Sequence, residues 1–188
     1  MATKISDEAA AARREGILLA ARWCFLNFGF SKTSLDDIAK RASISRTLLY
    51  KTFRDKDDIF AAVFVHWLVA RQPAAIAASR ESGTPFQRLF EVCRLLVIEP
   101  WTDMVGAAMG DDFFDACERV DPETTATHHR IAHQCVAEVL SDEPAAEVFL
   151  LALDGLLADR PGAELLSQRV QILCNRFVQP TPDQKEGS

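Results

Sequence analysis

The residues with the clearest chemical task lie between Thr33 and Lys56, in TSLDDIAKRASISRTLLYKTFRDK. Arg46, Thr47, Tyr50, Lys51 and Arg54 bring guanidinium, hydroxyl, phenol and ammonium groups to one side of a short helical pattern, while Leu49 and Phe53, four apart, take the other. That mixture suits nucleic acid. Arg and Lys pair with phosphate and with guanine acceptors, and Tyr and Thr donate to phosphate oxygens. Lys56 falls in the first turn of a following helix, where its charge opposes the helix dipole, and a cation placed there points to a phosphate partner.

Two short helices and a tight turn must hold these groups. Thr33, with Asp36 three positions later, predicts a reciprocal cap for the first helix, whose inner face is Ile38, Ala39 and Ala42. Ser43 and Ile44 interrupt the pattern, and Ser45 supplies a fresh N-cap for the second helix. Asp55, followed by Asp58, can cap a third. This is the layout of a helix-turn-helix reader of DNA. Ahead of it, residues 7–28 predict an amphipathic helix with Ile17, Ala21, Cys24, Phe25 and Phe28 inward, closed by Gly29.

From Arg14 to Phe60, through GILLAARWCFLNFGF, TSLDDIAKRASIS and LLYKTFRDKDDIF, the chain resembles the tetracycline-repressor-like (TetR) family of bacterial transcriptional regulators. The resemblance implies an all-α fold, with a three-helix helix-turn-helix domain over 1–54 and a larger helical effector and dimerisation domain over 55–178. It implies DNA contacts at Thr33, Ser34, Ser45, Arg46, Thr47, Leu48, Tyr50, Lys51 and Lys56. Two positions depart from the family's pattern. Ser43 stands where glycine is usual, and serine enters a left-handed conformation only with strain. Leu48 replaces a small hydroxyl residue, offering a thymine methyl an apolar contact instead of a hydrogen bond.

Length and charge agree with this division. A chain of 188 residues, 48% of them apolar, has room for a small reading unit and a second core. Residues 1–60 carry 11 Lys and Arg against 8 Asp and Glu, while residues 61–188 carry 10 against 19, which together give the net charge of −6. An acidic protein can thus turn a basic face to DNA. Five dispersed cysteines without C-x-x-C spacing read as buried thiols in a reducing cytoplasm. The apolar run from Ile59 to Ala70 is too short to span a bilayer, so no membrane partner is expected and the location is cytoplasmic, on the nucleoid when bound.

Beyond the reader, helices are expected over 56–78, as a connecting rod loosened or kinked by Pro73, and at about 85–99, 101–109, 111–119, 123–140, 144–159 and 163–178. The tail over 179–188 is expected to be disordered. Stripes of Phe149, Leu150, Leu153 and Leu157, then Leu166, Val170, Leu173 and Phe177, predict an antiparallel hairpin; the resemblance makes it a dimer interface. Each helix has a second apolar set, Val148, Leu151 and Leu156 on one and Leu165 and Ile172 on the other, so one face can serve the core and another a partner.

Trp67, Trp101, Met104, Phe113, Phe114 and Cys117, with His66, fall in and around short helices between rod and hairpin. They read either as ordinary core or, as the resemblance implies, as a pocket for a small, largely apolar effector. His129 and His133 share a helix face, but no further ligand stands at a fixed spacing, so neither a metal nor a cofactor is expected. No Gly-rich phosphate loop, G-x-S-x-G elbow or H-E-x-x-H occurs, so an enzyme is not expected. The expectation is a homodimeric, sequence-specific regulator, a repressor released from a palindromic operator by its effector. The alternative is a ligand-independent or architectural DNA binder whose C-terminal domain only dimerises.

Overall fold

A computed structural model describes residues 2–110, 112, 113, 116 and 122–179, and every regular element among them is helical. In chain order these are α1 (Ala2–Phe28), α2 (Leu35–Arg41), α3 (Arg46–Thr52), α4 (Lys56–Val69), α5 (Gln72–Ala78), α6 (Pro85–Cys93), α7 (Glu99–Val105), α8 (Pro122–Leu140), α9 (Glu143–Gly155) and α10 (Ala163–Val178). A π-helical segment, Arg94–Ile98, joins α6 to α7. The chain divides into two compact units, Met1–Arg71 with Pro100–His128, and Gln72–Glu99 with His129–Ser188.

The first unit is built round one core. Ile17, Ala21, Cys24 and Phe25 of α1 meet Ile38 of α2, Leu49 of α3, Phe60 and Trp67 of α4, and Met104 and Phe113 from the later segment. Each fully buried phenylalanine here, Phe25, Phe60 and Phe113, contributes about 1.5–3 kcal/mol through the apolar area removed from water. Phe28, expected inward, is exposed: it is the last residue of α1, and its ring meets the edge of Trp23 at 5.4 Å on the outer side. Gly29 ends the helix at φ +82, its N–H bonded to the Phe25 carbonyl at 2.9 Å. A Cβ there would lie 3.0 Å from both Asp112 Oδ2 and Met109 Cε, so the position needs glycine for space as well as for conformation.

The cap of α2 sits one residue later than expected. Ser34, with extended backbone, accepts from the Asp37 N–H at 3.2 Å, and Asp37 Oδ2 accepts from the Ser34 N–H at 2.9 Å. Thr33 is instead buried, at 2% exposure, with its hydroxyl donating to the Gly29 carbonyl at 2.7 Å. The C-terminus of α2 closes with Ser43 at φ +55, its N–H on the Lys40 carbonyl and the Ile44 N–H on the Ala39 carbonyl. A serine held in this left-handed conformation costs about 1 kcal/mol relative to a relaxed backbone, which locates the strain expected at this turn.

The expected rod over 56–78 is two helices, broken at Ala70 and Arg71 just before Pro73. Proline restricts the backbone of the residue before it and cannot donate an N–H, so a helix end near it is favoured. The stretch Lys56–Ala78 is apolar enough in composition to cross a bilayer, yet Ile59, Phe60, Val63, Phe64, Trp67 and Leu68 are spent on packing. Pro100 has a different effect. It lacks the N–H that an α-helix would bond to residue 96, and immediately upstream the chain widens into the π turn, with the Glu99 N–H reaching the Arg94 carbonyl. Arg94 spans that turn, paired with both Glu91 and Glu99.

The second unit contains α5, α6, the π segment, α9, α10 and most of α8. Leu89, Val92, Val136, Phe149, Leu153, Leu166 and Val170 are buried in it. The Cys93 and Cys174 thiols contact each other in its interior, and that hydrogen bond, with burial, pushes the Cys93 thiol well above its usual range. The turn between α9 and α10 is pinned by Arg169, which donates to Asp159 at 2.6 and 2.7 Å and to the Leu156 carbonyl at 3.3 Å.

Candidate nucleic-acid interface

Helix α3 is seven residues long and begins at Ser45, whose hydroxyl accepts from the Leu48 N–H at 3.2 Å. Its buried residue is Leu49, and Phe53 behind it is buried as well, so the helix sits on the core by one edge. Arg46, Thr47, Tyr50 and Lys51 are exposed together on the remaining surface, with Leu48 half-buried beside them. Ser34 is exposed at the start of α2. Seven of the nine expected contact residues therefore reach solvent from α3 and the two caps.

Arg46 is already engaged. Its guanidinium pairs with Asp36 of α2 at 3.1 Å and donates to the Tyr50 oxygen at 3.2 Å. The Tyr50 hydrogen bond and then the Asp36 charge raise its pKa further, so the cation is permanent. Accepting from Arg46 leaves the phenolic proton of Tyr50 available to a phosphate oxygen. Asp36 was not singled out by the sequence beyond its expected cap; the signal was a carboxylate in the first turn of α2 facing the start of α3.

Thr33 and Lys56 have other tasks. Thr33 is the buried hydroxyl described above, so its side chain offers nothing to DNA. The Lys56 ammonium donates to the carbonyls of Phe30 at 2.8 Å and Thr33 at 3.2 Å, with Ser31 at 3.5 Å, and lies 4.4 Å from the centre of the Phe30 ring. It closes the turn between α1 and α2, where the carbonyls left free by the end of a helix need a donor. Four helices thus hold the reading surface: α1 and α4 clasp the turn that launches α2.

Of the expected pocket residues, Trp67, Met104 and Phe113 are buried in the core that carries the reading helices, and His66 and Trp101 are half-buried. Phe114 and Cys117 lie outside the described residues. Trp67 meets Phe113 edge-on at 5.7 Å, Phe113 meets Phe60 at 5.2 Å, and Phe60 meets Phe25 at 5.1 Å and Phe30 at 5.0 Å. Asp103 of α7 gathers three donors on one oxygen: Arg22 at 3.1 Å, Arg71 at 3.0 Å and the Trp67 indole at 3.3 Å. Helices α1, α4 and α7 are joined at this carboxylate. Its partners are far apart in sequence and no local spacing announces them.

The hairpin divides differently from the expected interface. Phe149, Leu153, Leu166 and Val170 are buried within the single chain and present nothing to a partner, while Leu150, Leu157, Leu173 and Phe177 are half-buried. The second apolar set faces out except for Leu156, which is half-buried. Leu151 and Ile172 are 67% and 63% exposed, and Val148 and Leu165 are exposed as well. Among the described residues no group of three His, Cys, Asp or Glu could hold a metal ion, and His133 Nδ1 lies 3.5 Å from Glu143.

The signature of bacterial regulatory proteins of the tetR family matches residues 17–63, the stretch that builds the core face of α1, the turn, α2, α3 and the start of α4. An HTH-type transcriptional repressor of Mycobacterium tuberculosis is 31% identical over 172 residues, covering 82% of this chain and 86% of its own. The chain belongs to the TetR family. The HTH-type transcriptional regulator RutR of Escherichia coli is 35% identical over 93 residues, 47% of this chain and 42% of RutR. A TetR-like transcriptional regulator from Rhodococcus aligns in structure with a TM-score of 0.60 at 25% identity, covering 88% of this chain and 95% of that one. A TetR-family regulator from Streptomyces coelicolor gives 0.66 at 19% identity, covering 89% and 95%, a likeness of fold. This TetR-family protein is therefore a DNA-binding transcriptional regulator with a helix-turn-helix head, and not an enzyme.

Proposed function

We propose that the protein is a homodimeric repressor that reads a palindromic operator with α3 and is released by a small, largely apolar effector. The observation that carries this reading is the shared core of the first unit. The aromatic side chains expected to meet an effector, Trp67 and Phe113, pack without a gap in the contact chain onto Phe60, Phe25 and Phe30. Phe30 is also the residue whose carbonyl and ring receive Lys56 at the turn into α2. A molecule wedged beside Trp67 must displace groups in a close-packed interior, and the displacement is felt at the turn that aims the reading helices. Effector preference for the displaced form on the order of 1–3 kcal/mol would change operator affinity about 5- to 150-fold, and operator would weaken effector binding by the same factor. Being a DNA-bound regulator, the protein works in the cytoplasm.

Two heads on a two-fold body need a self-complementary face. The outward side of the hairpin, Val148 and Leu151 on α9 with Leu165 and Ile172 on α10, supplies an apolar one. Sedimentation equilibrium of Leu151→Glu with operator binding measured in parallel tests this face. The expected result is a monomer with at least tenfold weaker operator binding, because a charge buried against apolar side chains costs several kcal/mol. A dimer of unchanged mass would overturn the assignment.

A further inference from the structure

Outside the reading surface, the first unit carries a second built feature on α1 and α2. A cleft of about 730 Å³ runs between them, walled by Leu19, Trp23 and Phe28 on α1 and by Lys40 and Arg41 on α2. The three apolar side chains are exposed by 38–49% although they stand within three turns of one helix. Leu19 and Trp23 are four apart, and the Trp23 and Phe28 rings meet at a right angle, so together they form a concave apolar corner. Gly16 leaves one end of the cleft open, with no atom within 4 Å of where a Cβ would stand.

The cationic side of the cleft is set up for an anion. The Arg41 guanidinium lies 3.4 Å above the Trp23 ring, stacked on the indole. Stacking occupies its face and leaves its planar edge of N–H donors; among the described residues no carboxylate closes an ion pair with Arg41, while the Lys40 charge already acts on the Asp37 carboxylate. The one acid in the cleft, Asp37, is committed to the Ser34 cap, and that hydrogen bonding holds its carboxyl below the usual range. A guanidinium fixed over an aromatic ring with its fork unused is arranged for a bidentate carboxylate on a molecule whose apolar part lies against the same ring.

We propose that the α1–α2 cleft binds a small aromatic carboxylate, its ring in the Leu19–Trp23–Phe28 corner and its carboxylate on Arg41 and Lys40. Such a ligand would bridge α1 to the C-terminal turn of α2, the helix whose other end opens the reading surface. The site lies within the reading head and is separate from the effector region round Trp67, so a bound carboxylate adds a second input to the same operator.

The test uses the full chain with its three tryptophans labelled at the indole nitrogen, titrated with 2-naphthoate and with the neutral 2-naphthalenemethanol. Naphthoate should move the Trp23 indole signal, identified by its loss in Trp23→Phe, and should bind more tightly than the alcohol. Arg41→Gln, an exposed substitution that leaves the core untouched, should weaken naphthoate about tenfold and leave the alcohol unchanged. The proposal is overturned if naphthoate moves only the Trp67 and Trp101 signals, a result that would speak for the effector region and against this cleft. Equal binding of acid and alcohol, or an Arg41→Gln protein that binds naphthoate as before, would overturn it as well.

Discussion

At the scale of single residues, two charged side chains have tasks that only the folded chain reveals. Lys56 holds the α1–α2 turn through the carbonyls of Phe30 and Thr33. Lys56→Met should therefore lower stability in the absence of DNA by about 1–2 kcal/mol, the worth of hydrogen bonds from a charged donor at a half-buried site. Urea denaturation checks this, and an unchanged midpoint would remove Lys56 from the turn. Asp36 is paired with Arg46 on the exposed surface of the head. A phosphate must compete with that carboxylate, and the exchange is cheap because exposed ion pairs contribute little. Asp36→Asn should raise affinity for any duplex severalfold at low salt and steepen the salt dependence of binding. Fluorescence anisotropy across a salt series would show it; weaker binding at every salt concentration would mean that Asp36 orients Arg46 rather than restrains it.

At the scale of elements, most of the helices were legible in the sequence because apolar periodicity and capping residues agree. The span 163–178 falls where Gly162 and the stripe from Leu166 to Phe177 predict it, and Ser45 caps α3 as expected. The α2 cap was displaced by one residue because Thr33-Asp36 and Ser34-Asp37 satisfy the same spacing rule. Only the burial of Thr33 against the Gly29 carbonyl decides between them. The π turn before Pro100 and the Asp103 junction were illegible, since both depend on how distant segments meet. For the hairpin, sequence gave two apolar faces on each helix, and packing chose which was core. The α2 cap carries a pH dependence. Ser34 bonding lowers the Asp37 pKa in the folded chain below its unfolded value of about 3.9, so its contribution is complete above that value and disappears as pH falls through the folded pKa. Asp37→Asn should have lower stability than the parent at pH 7 and converge with it as pH falls through the lowered pKa of the folded Asp37, as read from thermal midpoints. A constant gap across that range would mean that the carboxylate charge plays no part in the cap.

At the scale of the whole molecule, the core behind the reading head draws on residues well beyond position 54. That core includes Met104 and Phe113, and α1 is tied to α7 through Arg22 and Asp103. A regulator built this way lets residues far along the chain bear on the helices that read DNA, which is what an effector-responsive repressor requires. The alternative is an architectural DNA binder, in which the aromatic chain from Trp67 to Phe30 is ordinary core packing. Both readings bind DNA, and they part on sequence preference. The measurement that separates them is selection of random duplex DNA by the purified protein, with the bound fraction sequenced and the selection repeated with Arg46→Ala. The account predicts recovery of one palindromic site, with preference at symmetric positions relaxed in Arg46→Ala. Recovery of unrelated sequences in proportion to their abundance, equal for both proteins, would contradict it.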